Sequence, residues 1–333
     1  MKTIILASLF GAAAISASAA EVNIYSTRQP ELIDPILAGF TAETGIDVNI
    51  VFLSSGLLER LRAEGKRSPA DVILTTDIAG LDAAAEAGLT QPVRSEVIES
   101  RIPATFREPA GQWFGLTSRA RIIYASKERV APGEISSYEE LASPVWQGRI
   151  CTRSGTNDYN IALTAAYLAS HGEEDTLAWL AGVKANLARA PQGNDRAQVK
   201  AIWAGECDIA IGNTYYMGKM LADPEQAEWA NAVNLIFPTM GDSGTHINIS
   251  GMAMTAAAPN PENALQLMEY LTGDAAQSLY AELNFEYPLN ADIEPSALVA
   301  SWGSFTPDAM PLSNIAKLRG EALRLIERVD FDG

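Results

Sequence analysis

Histidine and cysteine are almost missing from this chain, with two of each in 333 residues. Neither His171 nor His246 has a partner at metal-ligand spacing, and both sit in loop-like, solvated contexts. No C-x-x-C or H-E-x-x-H segment occurs, which argues against the usual soft and borderline metal sites. G-x-S-x-G and G-x-x-x-x-G-K-[ST] are absent too, removing the common nucleophile-elbow and phosphate-loop chemistries. With no local Ser/His/Asp pattern either, the chain reads as a non-enzyme. Basic residues are also scarce: 24 Lys and Arg against 41 Asp and Glu leave a net charge of −17. That balance disfavours nucleic acid and anionic membranes as partners. It is mostly a solubility property and names no ligand.

Long apolar runs are missing beyond the first twenty residues. Those twenty carry Lys2, an apolar stretch from Ile4 to Ile15, and small residues at Ala17-Ser18-Ala19 or Ser18-Ala19-Ala20. This is the pattern of a cleaved secretory signal peptide over residues 1–20, too short for a membrane span. No cysteine lies at the junction, so a lipid anchor is not expected. The mature chain is expected to be soluble and exported, to the periplasm in a two-membrane bacterium. Losing Lys2 takes its charge to −18. At roughly 313 residues it exceeds what one core supports, so two lobes are expected. In an oxidising compartment Cys151 and Cys207 read as a disulfide closing a loop of roughly 57 residues.

Strand and helix signals alternate from the start. EVNIYST, DVNIVFL and ADVILTT read as strands, and the runs Pro30 to Glu43, GLLERLRAEG and Ile78 to Ala87 as helices. The alternation predicts an α/β fold with a mostly parallel sheet. Asp71 and Asp77 flank the third strand and read as helix caps. QWFGLTSRARIIYAS is a longer extended segment suited to crossing between lobes, and INISGMAMTA to returning. Between them, GRICTRSG and ECDIAIGN are strands followed by the helices NDYNIALTAAYLASHG and TYYMGKMLAD. Further helices are expected at Pro261 to Leu271, Ala275 to Leu283 and Leu312 to Val329.

Two adjacent tyrosines, Tyr215 and Tyr216, open the helix TYYMGKMLAD, where Ser, Thr, Asp or Pro would suit the backbone better. Tyr159 has a similar setting. It lies eight residues after Cys151, and Tyr215 lies eight after Cys207. If the disulfide joins neighbouring strands, both helices start at one sheet edge and the three phenols face one point. Ligands of open α/β sheets bind at that edge. Phenolate is a hard oxygen donor, and three of them balance a trivalent ion such as iron(III). Lys219, one turn beyond Tyr216, can assist as a neighbouring positive charge, with Asn213 just upstream. Arg28 and Gln29 after the first strand, and Arg119 in the crossing segment, are placed to hold an exogenous anion. The two arginines could equally serve as ion pairs across the lobe interface. Tyr124, Tyr138, Tyr167, Tyr270, Tyr280 and Tyr287 read as ordinary amphipathic residues with wet hydroxyls.

These residues place the chain in a known setting. Through NIYSTRQPELI, SPADVILTTDI, QWFGLTSRARIIY, RSGTNDYN, PQGNDRAQVKAIWAGECDIAIGNTYYMGKM, NISGMAM and YAELNFEYPLN, it resembles the periplasmic ferric-iron-binding proteins of bacterial ABC transporters. The likeness is closest to the branch that binds iron through three tyrosines and carbonate. It implies a two-lobed type II periplasmic binding protein with a hinge, its lobes formed by residues 21–118 with about 248–300, and about 119–247 with about 301–333. It implies iron ligands at Tyr159, Tyr215 and Tyr216, and an anion site at Arg28, Gln29 and Arg119 that takes carbonate (bicarbonate) with Fe(3+). It also implies the cysteine pair, a monomer, and an inner-membrane permease with its ATPase as partner. Other branches place a His or a His-Tyr pair after the first strand and a Glu after the third. Gln29-Pro30 and Thr76-Asp77 stand there here, so no first-lobe ligand is expected. The readings kept beside this one are a binding protein for another small anion or organic solute, and a secreted α/β hydrolase or transferase.

Overall fold

The computed structural model describes residues 20–333, so the expected leader lies, except for Ala20, outside the described residues. The first third alternates as its sequence pattern predicts: β1 (Glu21–Ser26), α1 (Asp34–Thr44), β2 (Asp47–Phe52), α2 (Leu57–Glu64), β3 (Val72–Thr75), α3 (Ile78–Glu86) and α4 (Glu96–Arg101). A long strand, β4 (Phe114–Ser126), leads into β5 (Ile150–Cys151), α5 (Asp158–Ala185), α6 (Asp195–Trp203), β6 (Ile209–Asn213), α7 (Tyr215–Leu221), α8 (Ala227–Asn231) and β7 (Val233–Ile236). The chain returns through β8 (Ile247–Met254) to α9 (Pro261–Leu271), α10 (Asp274–Asn284) and β9 (Tyr287–Pro288), then ends in α11 (Ala297–Ala300) and α12 (Leu312–Arg328).

Local chemistry sets the element ends. Asp77 caps α3 by accepting from Ala79 N at 2.7 Å, while Gly45, at φ 73°, takes the left-handed turn that closes α1. Gly172 interrupts α5 with φ 80° and ψ 176°. The helix expected from NDYN therefore stops where its sequence pattern stops, and a second helix starts at once. Asp71 is not a helix cap. It is buried and accepts from Asn23 N at 2.8 Å and Asn260 N at 2.6 Å, tying β1 to the start of α9.

The sheet runs β2-β1-β3-β8-β4-β6-β5, with β7 and β9 also on β4. Pairing is parallel among β1, β2 and β3 and between β5 and β6. It is antiparallel wherever β4 or β8 takes part. The sheet is thus mixed, and its parallel share is smaller than the strand–helix alternation suggests. Crossing strands run back directly and need no crossover helix. From Phe114 to Ala120, β4 pairs with β8; from Arg121 onward it pairs with β6 and β7. One strand therefore belongs to both halves, and its partners change between Ala120 and Arg121.

Several polar residues are drier than their sequence contexts suggest. His246 is 2% exposed, and burial together with Arg121 and Arg119 pushes its imidazole down to about 3, so it stays neutral. His171 stacks on Tyr167 at 4.1 Å and lies 2.9 Å from Glu139. Tyr124 and Tyr138 are fully buried, their hydroxyls donating to the carbonyls of Asn213 and Arg121.

Cys151 and Cys207 form a disulfide, with Cα atoms 5.8 Å apart, joining the end of β5 to the segment that enters β6. A link across a 56-residue separation restricts the unfolded chain by about 4 kcal/mol. Replacing both cysteines by serine is expected to lower the melting temperature by several degrees and to weaken ligand binding only indirectly. Calorimetry of the two forms checks this; equal melting curves would contradict it.

Candidate metal centre

The two helix starts are built differently and meet at one place. On one side, Tyr124 Oη donates to the Asn213 carbonyl at 2.5 Å, fixing the end of β6 just before α7 opens at Tyr215. Gly212 permits this, because a Cβ there would lie 2.2 Å from Tyr124 Cε2. On the other side, Asn157 caps α5 by accepting from Tyr159 N at 3.1 Å, so Tyr159 stands in the first turn. Tyr159 Oη lies 3.2 Å from Tyr215 Oη, and the Tyr215 and Tyr216 rings are 4.2 Å apart. All three line a cleft of about 460 Å³. The equal eight-residue spacing is not what aligns them. Cys151 pairs with Ala210, not with Cys207, so β5 ends deeper in the sheet and a longer loop brings Tyr159 forward.

Electrostatics disfavour ionisation of Tyr215 and Tyr216. Burial, then the neighbouring Tyr159 and Tyr216, pushes Tyr215 well above the ordinary phenol value. Burial, then Tyr159 and Asp195, pushes Tyr216 up to about 12. Positive charge gathers behind them: the guanidinium carbons of Arg119, Arg121 and Arg153 lie 5.9, 5.7 and 5.1 Å from the centre of the Tyr159 ring. Arg196 lies 5.7 Å from that of Tyr216. Asp195, fully buried, accepts from Arg121 at 2.6 Å, from Arg153 at 2.5 Å and from Asn213 N at 3.1 Å. It compensates two guanidiniums and braces the end of β6. Among the described residues no three of His, Cys, Asp and Glu gather at one point. The donor set that does gather is phenolic, and hard oxygen donors suit a hard trivalent cation.

The expected anion-site residues all line the cleft, in unequal states. Arg119 is 3% exposed, forms no ion pair among the described residues, and leaves Nη2 without a partner. Arg28 is 4% exposed and already committed, donating to Ser250 and, at 3.1 Å, to Glu286. Burial disfavours its charge, but Glu286, together with Tyr280 and Tyr215, more than offsets that and raises its pKa. The ion-pair alternative thus describes Arg28 and not Arg119. Gln29 is exposed on the cleft wall. Lys219 lines the cleft but donates to the Leu283 carbonyl at 2.8 Å, not to a tyrosine. Asn213 does not face the cleft; its side chain accepts from Arg121 at 3.1 Å and lines a small chamber behind Tyr159.

Four contributors escaped the reading of the sequence: Asp195, Arg153, Arg196 and Glu286. Asp195 follows the Asn194 cap and looks like an ordinary first-turn acid. A usable signal existed in SRAR, where Arg119 and Arg121 are two apart and so share one face of an otherwise apolar strand. Two arginines on a buried face require an acidic partner elsewhere.

The bacterial extracellular solute-binding protein family matches residues 67–301. Iron uptake protein A1 of Synechocystis is 45% identical over 314 residues, covering 93% of this chain and 87% of that protein. Apo ferric ion-binding protein A of Pasteurella haemolytica superposes with a TM-score of 0.90 at 52% identity, covering 95% of this chain and 99% of that one. The Trichodesmium protein IdiA (FutA), solved with iron and citrate ligands, gives 0.89 at 39% identity over 94% and 100% of the two chains. With this likeness along nearly its whole length, and the mixed α/β sheet described above, the chain belongs to the bacterial extracellular solute-binding proteins, among the periplasmic ferric-iron-binding proteins.

Proposed function

We propose that this protein captures iron(III) in its cleft and delivers it to an inner-membrane ABC permease with its ATPase. The observation that carries this reading is the meeting of Tyr159, Tyr215 and Tyr216 beside the unpaired, buried guanidinium of Arg119. Three phenolates neutralise a trivalent ion, and the ion supplies the charge that ionises them. The remaining coordination positions take an exogenous anion. Carbonate is planar and bidentate, the shape a guanidinium fork recognises. Arg119 is its principal holder, with Arg28 and Gln29 on the same wall. Lys219 adds positive charge at a distance, and Asn213 acts from behind through Arg121.

The more similar relatives carry names concerned with iron uptake or ferric binding, which supports the cargo over the thiamine of more distant ones, and a 30% identical Fe(3+)-binding periplasmic protein of Serratia marcescens supports the compartment. The protein works as a monomeric carrier and not as an enzyme. Its lobes are residues 21–118 with about 248–300, and about 119–247 with about 301–333. The change of partners along β4 and the return through β8 support that division.

The test is an iron titration of metal-free protein followed by visible absorbance, with and without bicarbonate. Tyrosinate–iron(III) charge transfer colours the complex. Bicarbonate is expected to tighten binding, and Arg119→Ala to weaken it by about 10- to 100-fold, the range for a group that acts beside a metal ligand. Arg119→Ala should also lose most of the response to bicarbonate. Wild-type curves that superimpose with and without bicarbonate would remove the anion roles of Arg28, Gln29 and Arg119. The tyrosine ligands would survive that result.

A further inference from the structure

The cleft contains a carboxylate that no role described so far requires. Glu286 is 4% exposed and lines the same cleft as the tyrosines. It follows Phe285, which ends α10 in the left-handed conformation, at φ 57°. That ring packs on α7: a Cβ at Gly218 would lie 2.2 Å from Phe285 Cγ. Glu286 is therefore held against the helix that carries Tyr215 and Tyr216. Its oxygens accept from Arg28 at 3.1 Å and from Thr117 Oγ1 at 2.9 Å. Ser250 Oγ accepts from Arg28 and, at 3.5 Å, from Arg119. The two arginines thus share one hydroxyl, and only one of them has a counter-charge.

A buried carboxylate in an anion-binding cleft opposes its ligand unless the opposition is useful. Lining the cleft are Arg28, Arg119, Arg196 and Lys219 against Glu31 and Glu286, and Glu31 stands exposed. Iron(III) with three phenolates adds no net charge, so the anion responds to this lining. Glu286 cancels the positive charge of Arg28 and leaves Arg119 as the unpaired buried cation. Removing the carboxylate's charge adds one positive charge at short range and in low dielectric, where the attraction grows with the charge of the anion.

We infer that Glu286 is a positioning residue that sets anion selectivity: by holding Arg28 paired, it favours a dianion of carbonate type over anions of higher charge such as tricarboxylates. This rests on the anion site proposed above. Near-isosteric Glu286→Gln keeps one acceptor oxygen for Arg28 and turns an NH2 toward the Thr117 hydroxyl, which can accept from it, while removing the charge. Arg28→Gln changes the charge in the opposite sense, and the double variant restores the original total.

The experiment measures half-saturating bicarbonate and citrate on the iron-loaded protein by the visible band, and citrate binding to the metal-free protein by calorimetry. Glu286→Gln is expected to shift the citrate-to-bicarbonate affinity ratio toward citrate by about tenfold, the effect of roughly one charge interaction. The metal-free protein should bind citrate more tightly as well. Arg28→Gln should shift the ratio the other way, and the double variant should return it close to wild type. If Glu286 only braces the wall, the single variants weaken both anions in proportion and the double variant is the weakest; that result overturns the inference. An unchanged ratio in Glu286→Gln, with a wild type that still responds to bicarbonate, also overturns it and leaves the anion site standing. A wild type indifferent to every anion overturns both. Should Glu286→Gln fail to fold, Arg28→Gln and the double variant still decide the matter.

Discussion

The Tyr215→Phe, Tyr216→Phe double variant is expected to fold normally and to lose iron. Each substitution removes one hydroxyl and keeps the ring. The packing between the two rings, 4.2 Å apart, and against the cleft wall survives. Neither hydroxyl carries a buried hydrogen bond that the fold needs: Tyr215 Oη meets Tyr159 Oη at 3.2 Å, and both are cleft groups. Relieving the crowding of buried phenols leaves stability nearly unchanged, within about 1 kcal/mol. The loss in iron affinity should exceed the 10- to 100-fold typical of groups that only support metal ligands, because two of three charged donors disappear. The visible band should vanish or move. Equilibrium competition with a coloured chelator measures the first effect and absorbance the second. A double variant with wild-type colour and affinity would take these residues out of the site.

Iron release should be unusually steep in pH. In the metal-free protein Tyr216 is pushed up to about 12 and Tyr215 well above the ordinary phenol range. Both are protonated at neutral pH, so binding must displace their protons. The sign follows: lowering the pH favours the protonated, metal-free form. Affinity should fall by up to about three decades per pH unit if three protons leave. Protonation and loss of carbonate should come first, opening the site in mildly acidic solution. Withdrawing bicarbonate should move release to higher pH. Competition titrations from pH 7 to 4 check the slope. A fall of one decade or less per unit would mean that fewer phenolates hold the metal.

Much of this was legible because local rules and the final fold agree. The helix from Pro261 to Leu271 has the predicted ends, since an N-terminal proline and an amphipathic pattern specify it without help from elsewhere. The crossing strand was readable from its length and extended character, and β4 is indeed buried along its whole length. The tyrosine pair stood out because its residue type conflicts with its position at a helix start. Such local conflicts mark functional sites. The partners of the site were harder to see. Asp195, Arg153 and Glu286 come from separate segments and acquire their roles only through distances of about 3 Å that tertiary folding creates. His246 looked solvated because its neighbours are turn residues, yet it is 2% exposed, its carbonyl accepting from Arg121 N of β4 at 2.9 Å. The eight-residue repeat from each cysteine pointed to the correct convergence through an incorrect geometry. It assumed equal paths, whereas Cys151 pairs with Ala210.

The most direct measurement is a titration of metal-free wild-type protein with iron(III) in the presence of bicarbonate, following visible absorbance and the amount of iron bound. A tyrosinate-to-iron band that grows linearly and saturates at one iron per chain is the predicted result. A protein that stays colourless, or that binds iron without that band, would contradict the phenolate site.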